Sequence, residues 1–247
     1  MGKARTIMKI AVYTLTRDRI EYTKKTLVEA KATAGIEFDY YVLDNGSIDG
    51  TQDWLKKHEY LFKKIFYSDD NKGLWRGINI LLKETNNFEG YDFVLKLDND
   101  VEFPHENWLK ELVDVYNQLE GNNWILCPYV DGLGNGKGGA ARSSYLDVGQ
   151  HKIGYSNFVG GICLFTNQAA YRGLEFPPNR PKAKGWDVHF CGMLKGEKKY
   201  KIAYTETIKI KHRDTSDGQN VLYPEYRKRK LYEVHTPYEG DDNSYHV

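Results

Sequence analysis

The sequence predicts an α/β protein built on one mostly parallel sheet with helices on both faces. Two observations carry this. Over the first hundred residues, β-rich runs alternate with helix-forming runs, the order that yields parallel strands joined by crossover helices. Each β-rich run also stops at or just before a polar cluster, at 14–19, 44–47, 69–73 and 98–100. Ligands of open parallel sheets bind beyond the carboxyl ends of the strands, so these four clusters should share one rim.

The first strand falls at 8–14 (MKIAVYT), and good helix formers follow over 21–34. Residues 40–43 (YYVL) form a second strand that stops at Asp44-Asn45-Gly46-Ser47, a turn signal that also caps a helix at 51–58. A third short strand lies at 65–67. In 73–85, Leu74, Ile78, Leu81 and Leu82 recur at helical spacing and make an apolar stripe. The fourth strand, 91–97, ends in Asp98-Asn99-Asp100.

The second half is less regular. An amphipathic helix spans 108–119, with Trp108, Leu112, Tyr116 and Leu119 on one side. Residues 131–139 (DGLGNGKGG) are glycine-dense but lack the Gly-Lys-Ser/Thr ending of a phosphate loop. They suit a lid over a ligand or a plain flexible connection. A buried strand is expected at 158–166, a helix at 186–194, and late strands at 202–204 and 208–211. From Asp214 the chain is polar and tyrosine-rich, and its last ten residues should be loosely held.

Composition bounds the function. The chain has 247 residues, 40% hydrophobic and 28% charged, enough for one large domain with a substantial core. Lys and Arg total 35 against 34 Asp and Glu, so no global basic excess marks a dedicated nucleic-acid binder. Cys127, Cys163 and Cys191 are too far apart for a zinc motif and odd in number, and read as buried small hydrophobes. No run approaches the roughly 20 apolar residues of a membrane helix, so a cytoplasmic setting is expected. The compact basic run 226–230 (YRKRK) suits a solvated face, or a contact for an anionic acceptor.

Asp98 and Asp100 are the strongest chemical signal. On an extended chain, residues two apart point to one face, and paired carboxylates there can hold Mg²⁺ or Mn²⁺ together with substrate phosphates. Taken alone, Asp-Asn-Asp suits a polar turn equally well.

The ordered set of motifs resembles the family 2 inverting glycosyltransferases. Thr16-Arg17-Asp18-Arg19 is similar to that family's Thr-Tyr-Asn-Arg, and residues 44–51 (DNGSIDGT) to its Asp-Asn-Gly-Ser-Thr-Asp-Gly-Thr. Asn71-Lys72-Gly73 with Asn79 resembles its Asn-x-Gly and following asparagine, and Leu97-Asp98-Asn99-Asp100 its Asp-x-Asp. Gly160-Gly161 resembles a strand entry near the acceptor, and Gly185-Trp186-Asp187 stands at the family's Gly-Glu-Asp. The resemblance covers about residues 8–212.

It implies a GT-A fold, a Rossmann-like sheet with a small irregular acceptor-side half. The division would be a catalytic domain 1–213, with a nucleotide-binding half 8–103 and an acceptor-binding half 104–213, followed by an extension 214–247. The implied reaction moves one sugar from a nucleotide-diphosphate donor, a UDP-sugar by this reading, to an acceptor hydroxyl with inversion. By the same resemblance, Asp44 would accept from uracil N3–H, and the backbone at Thr14 and Thr16 would line the base pocket near Asn71 and Gly73. Arg19, Asp98 and Asn99 complete the donor-binding set. Asp98 and Asp100 would hold Mn²⁺ or Mg²⁺. His212 is either a further ligand or an anchor for the C-terminal segment. Asp187 would be the general base.

Two departures stand out. An aromatic residue, Trp186, replaces the family's acid before Asp187; with Gly160 and Gly161 it would bind acceptor, as a stacking platform, or it belongs to the core. The segment 14–16 lacks the usual proline, which bears on the base pocket alone. No Gln-x-x-Arg-Trp run of processive synthases is present, which favours single addition. A sugar-1-phosphate nucleotidyltransferase would need a glycine-rich loop at 14–19, which holds no glycine. A non-catalytic nucleotide-sugar-binding module is the rival from another class. Carbohydrate, glycoconjugate and a modified DNA base all remain open as acceptors.

Overall fold

The computed structural model describes residues 8–133, 138–177, 185–213, 223, 225 and 226. Its first half is the expected alternation. β1 (Ile10–Thr16), α1 (Ile20–Thr33), β2 (Asp39–Asn45), α2 (Thr51–Lys57), β3 (Lys64–Ser68), α3 (Gly73–Glu84) and β4 (Phe93–Leu97) follow in order. β3, β2, β1 and β4 lie side by side and all parallel. β1 (IAVYTLT) and β4 (FVLKL) are covered on both faces, which is why they read as nearly continuous apolar runs.

α3 packs its Trp75, Ile78, Leu81 and Leu82 stripe on this sheet. Gly77 lets it approach, since a Cβ there would stand 2.6 Å from Leu15 Cδ2. The expected boundaries move by one to three residues, as frayed ends usually do.

Beyond β4 the sheet becomes mixed. A two-residue β5 (Val101–Glu102), α4 (Trp108–Gln118), β6 (Trp124–Asp131), β7 (Ser144–Val148), β8 (His151–Tyr155), β9 (Cys163–Asn167), α5 (Trp186–Glu197) and β10 (Lys201–His212) complete the described elements. The strand order is β3-β2-β1-β4-β9-β6-β10-β8-β7, with β5 on β10. β9 runs antiparallel between β4 and β6. The three cysteines are free and buried. Among the described residues, no helix is long and apolar enough to cross a membrane.

Two expectations are corrected here, and one strand, β6, is unanticipated. The two late strands are one, β10, whose register on β6 jumps between Thr205 and Lys209, so residues 206–208 bulge out. The strand expected at 158–166 begins only at Cys163, because Gly160 and Gly161 interrupt it and Phe158 lies in a loop, 37% exposed. β6 carries Pro128, which hides a strand from pattern reading. Pro128 is tolerated because pairing with β9 has ended at Leu126 and the β10 bulge begins beside it.

Gly46 shows how the turn after β2 is set. Its φ is +77°, and a Cβ there would lie 2.5 Å from the Asp70 carbonyl carbon. Glycine alone fits both constraints. We expect Gly46→Ala to lower the unfolding free energy by more than about 1 kcal/mol, read as a lower urea midpoint at unchanged m-value.

Candidate active site

The carboxyl ends of β1 and β4, the turn after β2, the start of α3 and the entry to β9 enclose a cleft of about 630 Å³. That volume is in the range of small-molecule sites. Thr16, Arg19, Asn71, Gly73, Asp98, Asn99, Asp100, Gly160, Gly161, Trp186, Asp187 and His212 all border it. Thr14 and Asp44 do not. The Thr14 side chain is inside the core, its hydroxyl 3.0 Å from that of Tyr40. Asp44 is fully buried, and its neighbour Asn45 forms the wall instead.

Side-chain caps lace the loops of the nucleotide half together. Asp18 and Arg19 both have left-handed backbone, with φ of 52° and 57°. Ser47 Oγ accepts from Asp18 N–H at 2.7 Å, Asp18 Oδ1 from Ile48 N–H at 2.8 Å, and Asp49 Oδ2 from Ile20 N–H at 2.9 Å. Asn45 Nδ2 donates to Asn71 Oδ1 at 3.0 Å, while Asn45 Oδ1 accepts from Lys72 N–H at 2.9 Å. These short polar residues bond backbone where glycine-free turns need it.

Asp44 has one committed oxygen and one idle one. Oδ1 accepts from Ser47 N–H at 2.9 Å and from Gln52 Nε2 at 2.8 Å. Oδ2 is buried with no hydrogen-bond partner. Burial pushes the carboxyl's pKa up, against the Ser47 and Gln52 hydrogen bonds, which pull it down.

The acidic turn after β4 differs from the extended geometry expected of it. Residues 99 and 100 are in a turn, so the carboxylates of Asp98 and Asp100 take different partners. Asp98 Oδ1 pairs with Lys96 Nζ. Asp100 Oδ2 accepts from Arg19 Nη1 at 2.6 Å, with His212 Nε2 at 3.4 Å. Arg19 Nη2 also donates to Asn99 Oδ1 at 2.7 Å, and Asn99 Nδ2 donates to Thr16 and Thr23. The Arg19–Asp100 pair is buried on both sides, 8% and 6% exposed.

Among the described residues, no three His, Cys, Asp or Glu side chains form a ready metal cage. Asp100 and His212 nevertheless converge, and an oxygen-plus-imidazole pair suits a divalent ion that takes its remaining ligands from substrate phosphates and water.

The wall that carries Asp187 is built on α5. Asp187 lies in its first turn; Oδ2 accepts from Gly161 N–H at 3.0 Å and Oδ1 from Val188 N–H at 2.9 Å. Gly160 N–H donates to Tyr204 Oη at 3.0 Å. Trp186 is core: 1% exposed, its ring stacks on Phe190 at 5.2 Å and packs against Phe176. Neither face is open to a sugar, which corrects the platform reading. The aromatic ring at the mouth is Phe158.

Arg17, Asn45, Lys96, Phe158 and Tyr204 border the cleft without having been singled out from the sequence. A lysine inside the apolar run FVLKL, in step with Asp98, is the signal that marks Lys96. Of the glycine-dense loop, 134–137 lie outside the described residues, as do 227–247, which include the rest of the basic run and the last ten residues. Of the tail, Tyr226 places its ring 4.7 Å from Arg19 Cζ, and Tyr223 Oη accepts from Glu21 N–H at 2.9 Å.

A family model described as Glycosyl transferase family 2 matches residues 11–171. No curated protein matches the chain by sequence. Among solved structures, TarS of S. aureus superposes with a TM-score of 0.59 at 19% identity, covering 83% of this chain and 36% of that one. The mannosyltransferase PcManGT of Pyrobaculum calidifontis, in complex with GDP-Man and Mn²⁺, gives 0.60 at 14%, covering 91% and 62%. GalNAc-T7 with UDP, GalNAc and Mn²⁺ gives 0.62 at 13%, covering 87% and 45%. The fold is shared, and the chain spans between 36% and 62% of the length of these structures.

The buried pair makes a direct prediction. Arg19→Met takes the guanidinium from an Asp100 carboxylate shielded from water, and should lower the unfolding free energy by about 3 kcal/mol in urea titrations.

Proposed function

The chain belongs to glycosyl transferase family 2, and on that footing we propose that it moves a single sugar from a UDP-sugar to an acceptor hydroxyl, inverting the anomeric centre. The observation that supports this reading is that Asp187, the Asp98–Asp100 turn and His212 all border one cleft. An acceptor hydroxyl lying between them meets a proton acceptor on one side and the anomeric carbon on the other. Asp187 takes the hydroxyl proton as the oxygen attacks that carbon, and the bond from carbon to the diphosphate oxygen breaks with its electron pair leaving on the diphosphate. General-base assistance of this kind contributes about 10²–10⁴ in rate.

Asp100 and His212 are the residues that would hold a divalent cation, Mn²⁺ or Mg²⁺. When bound, that cation neutralises charge building on the leaving diphosphate. The Mn²⁺ complexes of PcManGT and GalNAc-T7 support the assignment. Asp98 stays on the donor side, next to Lys96. Asp44 does not border the cleft, so its base-binding role requires the wall at Asn45 to open; the idle Oδ2 would then accept from uracil N3–H. The UDP in the GalNAc-T7 complex agrees with this choice of base. In this reading the catalytic unit is 1–213, and carbohydrate or a glycoconjugate is the acceptor class.

The deciding measurement is nucleoside diphosphate release from a panel of nucleotide sugars with Mn²⁺, with and without acceptors that include hydroxymethylated DNA. A binding module would show affinity without release. Asp100→Ala should abolish turnover while the circular dichroism spectrum stays native. Asp187→Asn should keep UDP affinity within about twofold and lower transfer by about 10²–10⁴. Full transfer in Asp187→Asn removes the base assignment.

A further inference from the structure

Lys96 is the one charged residue of β4, in the middle of the sheet between β1 and β9. Its side chain is 3% exposed. A lysine so deep keeps its charge only if partners replace the water it has lost. The ammonium has two such partners, the Asp98 carboxylate and the carbonyl oxygen of Gly161. The same glycine, through its N–H, holds Asp187 Oδ2 at 3.0 Å.

A Cβ built on Gly161 would stand 3.6 Å from each of Lys96 Nζ, Asp187 Cβ and Trp186 Cε3, so these side chains converge on one backbone position. The contacts form an unbroken series from Asp98 through Lys96 and Gly161 to Asp187. The buried Trp186 closes it from behind.

We propose that Lys96 is a positioning residue: its ammonium, clamped between Asp98 and the Gly161 carbonyl, sets the angle at which Gly161 N–H holds Asp187, and so ties the donor side of the cleft to the acceptor side. The proposal rests on Asp187 being the base. Gly161 has no side chain to fix its own backbone; the backbone after it is held by Asp98 N–H on the Ile162 carbonyl at 2.8 Å, and β9 pairing starts at Cys163, which leaves the Gly161 carbonyl to Lys96. Lys96 is therefore the side chain that pins the carbonyl of Gly161. With the pin removed, the Gly161 peptides can rotate, and Asp187 loses the donor that orients one of its two oxygens. Asp98 acts in this arrangement as the counter-charge that keeps the ammonium in place.

The test separates this role from plain neutralisation of Asp98. Lys96→Met is made in the natural protein and in an Asp98→Asn background, where no carboxylate is left unpaired and the interior stays charge-balanced. The Gly161 amide proton is followed by NMR in the ligand-free protein, with Asp187→Asn marking where that resonance falls once the carboxylate is gone. UDP with Mn²⁺ serves as the probe of donor affinity by calorimetry. Transfer is measured with the nucleotide sugar that the release assay identifies.

We expect Lys96→Met to move the Gly161 amide toward its Asp187→Asn position in the natural protein, and Asp98→Asn alone to move it part of the way. It should lower kcat about 10²-fold, as for a catalytic group displaced by about 1 Å. UDP affinity in the Asp98→Asn background should change less than about twofold when Lys96→Met is added, as expected where the two sites do not couple. An unmoved Gly161 amide with unchanged kcat when Lys96→Met is made in the natural protein overturns the proposal and leaves Asp187 as base. Full transfer by Asp187→Asn instead overturns the base reading, and this proposal with it.

Discussion

A single guanidinium holds the cleft together. Arg19 leaves the end of β1 on left-handed backbone and reaches Asn99 and Asp100, both in the turn after β4. β1 and β4 are already neighbours through their ladder, but a ladder fixes strands and leaves the turns beyond them free to splay. The fork of Arg19, with Asn99 bonded back to Thr16 and Thr23, binds the two turns into one wall. Because the pair is buried, either charge alone would be costly, so the two must be kept or lost together.

That constraint shapes the rest of the site. With Asp100 facing Arg19 and His212, and Asp98 facing Lys96, each acid of the pair has its own cation. The local field is thus nearly balanced before any ligand arrives, in a chain whose total is itself close to neutral. The acidic turn is better described as one buried ion pair and one half-buried pair at the end of one strand than as an open carboxylate clamp.

The nucleotide half was legible because its signals are local. Alternating β and α runs, the glycine at position 46 and the short polar caps act within a few residues, and they placed β1 to β4 to within two residues. The rim on which Arg19, Asn45, Asn71, Asp98 and Asp100 meet followed from strand direction alone, whereas Asp187, on the first turn of α5, was marked only by the family resemblance. The acceptor half was harder to read because its order comes from distant partners. Pro128 sits in a strand that survives by pairing on either side of it, and β10 passes through a bulge that splits its pattern in two. Trp186 reads equally as platform or core until Phe176 and Phe190 are seen against it. Lys96 interrupts an apolar strand, and its meaning needs Gly161, which lies 65 residues away.

The reversed strand β9 has a consequence for how such an enzyme can change. Since β9 runs against β4, its beginning, not its end, abuts the rim, with Cys163 opposite Leu97. The Gly160-Gly161 peptide that borders the cleft is therefore delivered from outside the parallel layer, on a segment that enters the fold late. Mutation can lengthen, shorten or re-decorate that segment without disturbing the register of the four parallel strands. Change on this side of the cleft is thereby uncoupled from the parallel layer.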